Sequence, residues 1–221
     1  MNPKRFATVA ISALVALALG TLAVAQVSPG DPSSYPSTKV SDSPHNLNNY
    51  PGIHIEGNQV CLPCHIPHNA QTPALGERNL LWNHAETQQT FVMFSSSAGQ
   101  PQGTSKLCLS CHDGVTALDS YGGNVGSTVL PSGDRHNLGT DLTNDHPIGV
   151  AYPTTYIGQR WNDPATFGPG VGGSSGVRLV TVNGVKRVEC NSCHTPHNNG
   201  LGNFLRVPIE QSYLCLQCHI K

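Results

Sequence analysis

Cys61-Leu-Pro-Cys64-His65 opens the stretch that decides how this chain folds. The pattern returns as Cys108-Leu-Ser-Cys111-His112, Cys190-Asn-Ser-Cys193-His194 and Cys215-Leu-Gln-Cys218-His219. These copies use all 8 cysteines of the 221 residues. C-x-x-C-H is the attachment signal for c-type haem. Two thiols two residues apart on a tight helical turn can each bond one vinyl-derived carbon of the porphyrin. The next residue then points its imidazole at the iron from the same side. Disulfide staples, zinc ligation and a redox dithiol are the rival readings. None of them needs His after every second Cys. His is 11 of 221 residues, so four such placements by chance come to roughly 6 in a million for a signal of this kind. The expectation is four covalently attached c-type haems. Cys61, Cys64, Cys108, Cys111, Cys190, Cys193, Cys215 and Cys218 would attach them, and His65, His112, His194 and His219 would be the proximal iron ligands.

Composition points the same way. The chain holds 23 Gly, 17 Pro, 5 Phe and 2 Trp. A chain this rich in loop residues and poor in large apolar groups has trouble burying enough surface by itself. Four apolar macrocycles would supply the missing core, and folding would then be coupled to haem attachment. The formal net charge of −1 leaves no electrostatic footprint for nucleic acid.

The first residues read as an export signal. Lys4 and Arg5 precede an apolar run through Leu22, and Ala23-Val24-Ala25 is a small-x-small cleavage site. This is the layout of a secretory signal peptide over residues 1–25 rather than a lasting anchor. No second apolar stretch has spanning length, so no transmembrane segment is expected in the mature chain. Export places the protein outside the cell or on its surface, otherwise in the periplasm.

Four irons need four distal ligands. Met1 leaves with the signal, so Met93 is the one thioether left, and His/Met ligation, which raises the potential, is excluded for at least three haems. Bis-histidine ligation is the simple reading. His45, His54, His68, His84, His136, His146 and His197 are the candidates. His68 and His197 stand in matched strings, C-x-x-C-H-x-P-H-N, where Pro67 or Pro196 turns the second imidazole away from its own haem and toward a stacked neighbour. His84 lies in Leu81-Trp82-Asn83-His84, among bulky groups suited to a porphyrin edge. His146 lies in a turn before Pro147. His84, His146, His68 and His197 rank highest, His45 follows closely, and His54 and His136 are read as ordinary.

The motifs form a duplication. Residues 26–60 read as an extended Ser/Pro/Asn-rich arm, followed by a tetrahaem domain over residues 61–221. Repeat one spans 61–112, a Gly-rich connector 113–189, and repeat two 190–219. Each repeat starts with C-x-x-C-H-x-P-H-N and ends with L-C-L-x-C-H. Val177–Val182, Asn183-Gly184 and Val185–Glu189 read as a hairpin with a type I′ turn. Pro208 and Ile209–Gln217 read as a short helix with Pro in its first turn, and the other motifs are expected on similar single-turn helices. The predicted fold is mostly irregular, with short α-helices and a small β-hairpin draped over haems.

Two copies of C-x-x-C-H-x-P-H paired with L-C-x-x-C-H, with Leu81-Trp-Asn-His84 and Asp145-His146-Pro147, resemble the doubled-C-x-x-C-H multihaem c-type cytochromes. More narrowly, the chain is similar to the tetrahaem extracellular nanowire cytochromes (OmcE type) of metal-reducing bacteria. That resemblance implies closely stacked bis-His haems and a homopolymer in which a His of one subunit completes a haem of the next, a role that would suit His45.

Three functions compete. An electron-transfer protein, alone or polymerised, would pass electrons to redox partner proteins or extracellular acceptors and needs no catalytic residue. A redox subunit would dock to a larger periplasmic complex. A multihaem reductase would need one open iron site and would favour a basic funnel, which this charge balance does not offer. Electron transfer is the leading expectation, and the chain is read as not an enzyme.

Overall fold

The computed structural model describes residues 37–68, 70, 80–170 and 176–221. The segment read as an export signal lies outside these residues. The described chain is mostly irregular, with few short helices and one small sheet. Among the described residues no helix is long and apolar enough to cross a membrane.

Asn183 and Gly184 carry φ angles of 51° and 78°. Positive φ at both central residues makes a type I′ turn, whose twist matches that of paired strands. It joins β2 (Val180–Val182) to β3 (Val185–Val188) in antiparallel register, Val182 opposite Val185. Val180 and Val182 point inward and Thr181 outward. β3 stops one residue early because Glu189 leaves the ladder to cap the third motif, and β2 begins only at Val180, since the Arg178 N–H donates to the Ser192 carbonyl instead. A further strand, β1 (Val150–Ala151), pairs with β3 and extends the hairpin to the order β1-β3-β2. It comes from the Gly-rich connector, and two residues are too short to show a period-two pattern.

Two expectations about helices change. The second motif sits on a three-turn helix, α1 (Gly103–His112), not on a single turn. Leu107 and Leu109 are buried on it, and Gly114 at φ 68° ends it, a position where a left-handed glycine costs least. A Cβ there would strike the Asn137 side chain. The expected helix after Pro208 is instead two 3-10 turns, Glu210–Ser212 and Cys215–Gln217. Gln211 and Ser212 are left-handed, at φ 53° and 62°, which breaks the helical ladder. Tertiary bonding replaces it: the Gln217 carboxamide accepts from the Gly168 N–H at 2.6 Å.

The segment read as an extended arm folds, from residue 37 onward, into three 3-10 turns at Val40–Asp42, Leu47–Asn49 and Glu56–Asn58. It ends in the larger of two small apolar clusters, where Ile53 and Ile55 meet Leu118 and Leu130 of the connector. Leu62 and Cys111, from the first and second motifs, pack against this cluster. The second cluster joins Phe91, Leu109 and Leu142, with Met93 and Ile148 at its edge. Both lie beside motifs, and neither is large.

Ile55 is fully buried, so Ile55→Ala leaves a cavity and should lower stability by about 2–5 kcal/mol. Denaturant unfolding of the loaded protein measures this. An unchanged midpoint would mean that the arm does not dock in solution.

Candidate functional site: the C-x-x-C-H motifs and the imidazoles that face them

Each motif closes one turn. The proximal His N–H donates to the carbonyl of the first Cys at 2.8 Å in His65, 3.0 Å in His194 and 2.9 Å in His219. In the second motif Cys108 and His112 lie one turn apart on α1. The third motif is α2 (Cys190–Cys193), capped by a reciprocal pair of bonds between Glu189 and Ser192. Ser105 of α1 also donates to the Glu189 carboxylate and accepts from the Cys190 N–H. The second and third motifs are thereby tied together. All eight thiols are free of disulfides. Cys64 lies near Cys111, Cys108 near Cys190, and Cys193 near Cys218, so consecutive motifs are neighbours in space.

Three of the motif histidines have a fixed tautomer. Nδ1 of His65 lies 2.6 Å from the Leu80 carbonyl, that of His112 2.7 Å from the His136 carbonyl, and that of His194 2.7 Å from the Asn203 carbonyl. A carbonyl only accepts, so Nδ1 carries the proton and Nε2 keeps a free lone pair. That is the usual outer-shell support of a metal-ligating imidazole. Burial, first among the causes, lowers the pKa of His112, His194 and His219. Neutral imidazole is the form that binds a metal.

Three of these rings face a second imidazole. His65 and His197 have ring centres 6.0 Å apart, His112 and His45 6.3 Å, and His219 and His146 6.4 Å. Two metal–imidazole bonds of about 2 Å each, plus roughly 1 Å from each nitrogen to its ring centre, span about 6 Å. The centre-to-centre separation of each pair matches that span. His45 donates from Nδ1 to the Pro196 carbonyl at 3.2 Å and stacks on Phe204 at 4.1 Å. Burial above all, with His112 beside it, pushes His45 down to about 4. His197 is shifted down by burial and by His65.

The other candidates are placed differently. His84 is wholly buried; its Nδ1 lies 2.8 Å from the Ala85 carbonyl and its Nε2 3.3 Å from the Leu118 carbonyl and 3.5 Å from Cys111 Sγ. It meets an attachment cysteine rather than a proximal imidazole. His68 is exposed, as is His54. No second imidazole stands opposite His194 among the described residues. Beside it runs an apolar cleft lined by Cys190, Cys193, His194, Met93, Leu142 and His146. A flat apolar group attached at Cys190 and Cys193 fits there by its chemistry.

Sequence reasoning missed the carbonyls of Leu80, His136 and Asn203, since a backbone acceptor has no signature in the side chains. His136, read as ordinary, supports His112 through its backbone while its ring pairs with Asp134 at 2.7 Å. Trp161, 4.8 Å from His219, was also passed over. Its signal was available: Trp-Asn occurs at both 82–83 and 161–162.

Residues 183–221 match the family model described as the doubled CXXCH motif. No curated protein matches the chain. The C-x-x-C-H motifs and the family match indicate covalently bound c-type haem and point to a multihaem c-type cytochrome in electron transfer.

Proposed function

We propose that the mature chain is an exported tetrahaem conduit whose irons are each held by two imidazoles. The carrying observation is the set of three imidazole pairs at one-metal spacing. When bound, each haem supplies an iron that takes up and releases one electron. The chain's own residues would do the rest. His65 and His197 would hold the first iron, His112 and His45 the second, and His219 and His146 the fourth. His68, the counterpart of His197 in the repeat, is the exposed imidazole that turns to the iron of His194. His84, packed on Cys111, shields the edge of the second haem.

Two imidazoles per iron leave no position for a substrate and keep the potential below that of His/Met sites. Haems attached at consecutive motifs would lie near one another, because cysteines of those motifs are neighbours. Lys4, Arg5, the apolar run and Ala23-Val24-Ala25 support export. The resemblance to nanowire cytochromes supports a filament that delivers electrons to extracellular acceptors. His45, to which that resemblance gave an intersubunit role, faces His112 of its own chain. A reductase reading draws on one observation, the absence of an opposing imidazole at His194 among the described residues.

The oxidised protein should show only low-spin haem, and carbon monoxide should not bind the reduced form. A high-spin band from one haem in four would favour the reductase. Electron microscopy of native material should show filaments, whereas uniform monomers at high concentration would remove that part of the reading.

Single-ligand variants test the pairing. His45→Ala should keep four haems by mass and turn one iron high-spin and open to carbon monoxide. His68→Ala should do the same, and His84→Ala should not. An unchanged His45→Ala spectrum would dissolve the second pair.

A further inference from the structure

Three of the four motifs are gripped by the same small strut. Opposite His65 stands Trp82, opposite His194 Leu205, and opposite His219 Trp161, each in an isolated antiparallel bridge. The backbone bonds correspond one by one. Ile66, Thr195 and Ile220 donate to the carbonyls of Leu81, Phe204 and Arg160 at 2.8, 2.7 and 3.0 Å. Asn83, Arg206 and Asn162 donate in return to the carbonyls of Cys64, Cys193 and Cys218 at 3.0, 2.8 and 2.9 Å. The proximal His and its partner are thus a non-hydrogen-bonded pair, the register that brings facing side chains closest. The indole of Trp82 lies 6.2 Å from the His65 ring, and that of Trp161 4.8 Å from the His219 ring.

The last residue of each strut adds a side-chain bond to the same place. Asn83 Nδ2 donates to the Leu62 carbonyl at 2.7 Å, Asn162 Nδ2 to the Leu216 carbonyl at 2.7 Å, and Arg206 Nε to the Asn191 carbonyl at 2.8 Å. Each acceptor is the residue directly after the first cysteine of its motif. In two of the three, the residue before the strut also accepts the proximal Nδ1 proton, Leu80 for His65 and Asn203 for His194.

Duplication alone does not account for this. In the first and third motifs the strut follows its His in sequence, whereas Trp161 precedes His219. The same contacts arise from opposite orders along the chain, which marks them as a requirement of the site. The second motif has another support, with α1 beneath it and Leu138 N–H donating to the His112 carbonyl at 2.8 Å.

We propose that Asn83, Asn162 and Arg206 are positioning residues of a proximal-ligand clamp. They hold the attachment turn in shape through the carbonyl after the first cysteine, while the strut backbone draws the proximal His into an extended conformation. The residue opposite, Trp82, Trp161 or Leu205, limits rotation of the imidazole. Outer-shell groups of this kind set ligand orientation and basicity, and through them the properties of the metal. The inference rests on the haem reading above.

The test uses the full-length exported protein, with Asn83→Ala and the exchange Asn83→Arg, which installs the side chain found at the equivalent position of the third motif. Haem is counted by mass, and each iron is followed by electron paramagnetic resonance and redox titration. Asn83→Ala should shift the signal and potential of one haem, or lose that haem alone, and Asn83→Arg should restore it. Arg206→Ala and Arg206→Asn should behave in the same way at another haem. Unchanged signals and potentials with four haems in place would overturn the clamp and leave the haem reading standing, as would a drop in melting temperature alone. A wild-type protein without covalent haem would instead sink the haem reading itself.

Discussion

The structure depends on one arrangement: an imidazole whose Nδ1 proton is given to a backbone carbonyl, so that its Nε2 lone pair is free. His65, His112 and His194 all show it, at 2.6–2.7 Å from Leu80, His136 and Asn203. The carbonyls come from loops, and loops hold position only when pinned. The bridges at Trp82 and Leu205 and the turns around His136 do the pinning. Much of the irregular chain can be understood as scaffolding that fixes a few acceptors to within a fraction of an ångström.

Among the described residues, the apolar side chains that support this scaffolding gather in small clusters. Ile53, Ile55, Leu118 and Leu130 form one cluster and Phe91, Leu109 and Leu142 another. Clusters this small do not offset the conformational entropy of ordering long Gly-rich segments. Both abut motif residues, Cys111 in the first and Leu109 of α1 in the second. The apolar cleft at Cys190, Cys193 and His194 continues the second cluster through Met93 and Leu142. Covalent haem set between these parts would join them into one core, which accounts for the lean composition.

The buried polar groups follow the same logic. Asp113, directly after the second motif, accepts bonds from Thr87 at 2.6 Å and from the Val115 and Thr116 N–H groups at 2.8 Å. Burial pushes its carboxyl up, and these bonds outweigh burial and hold it below the usual carboxylate range. Glu189 does comparable work before the third motif, linking Ser105 of α1 to the Ser192 N–H of α2. Both carboxylates anchor turns next to a motif.

The sequence by itself determined what is local. Cysteine and histidine spacing specified the attachment turns, because a C-x-x-C-H string closes over five residues wherever it sits. Asn183-Gly184 specified the hairpin, because both residues tolerate positive φ. The tertiary structure decided what is distant: that His197 faces His65, His45 faces His112 and His146 faces His219. It also added β1 to the hairpin, broke the expected helix at Gln211 and Ser212, and brought Trp82, Leu205 and Trp161 to the proximal rings. These outcomes turn on which loop passes which turn in space, and side-chain pattern carries no record of a backbone carbonyl. The repeated Trp-Asn pair is the exception, a tertiary contact that left a visible trace in the chain.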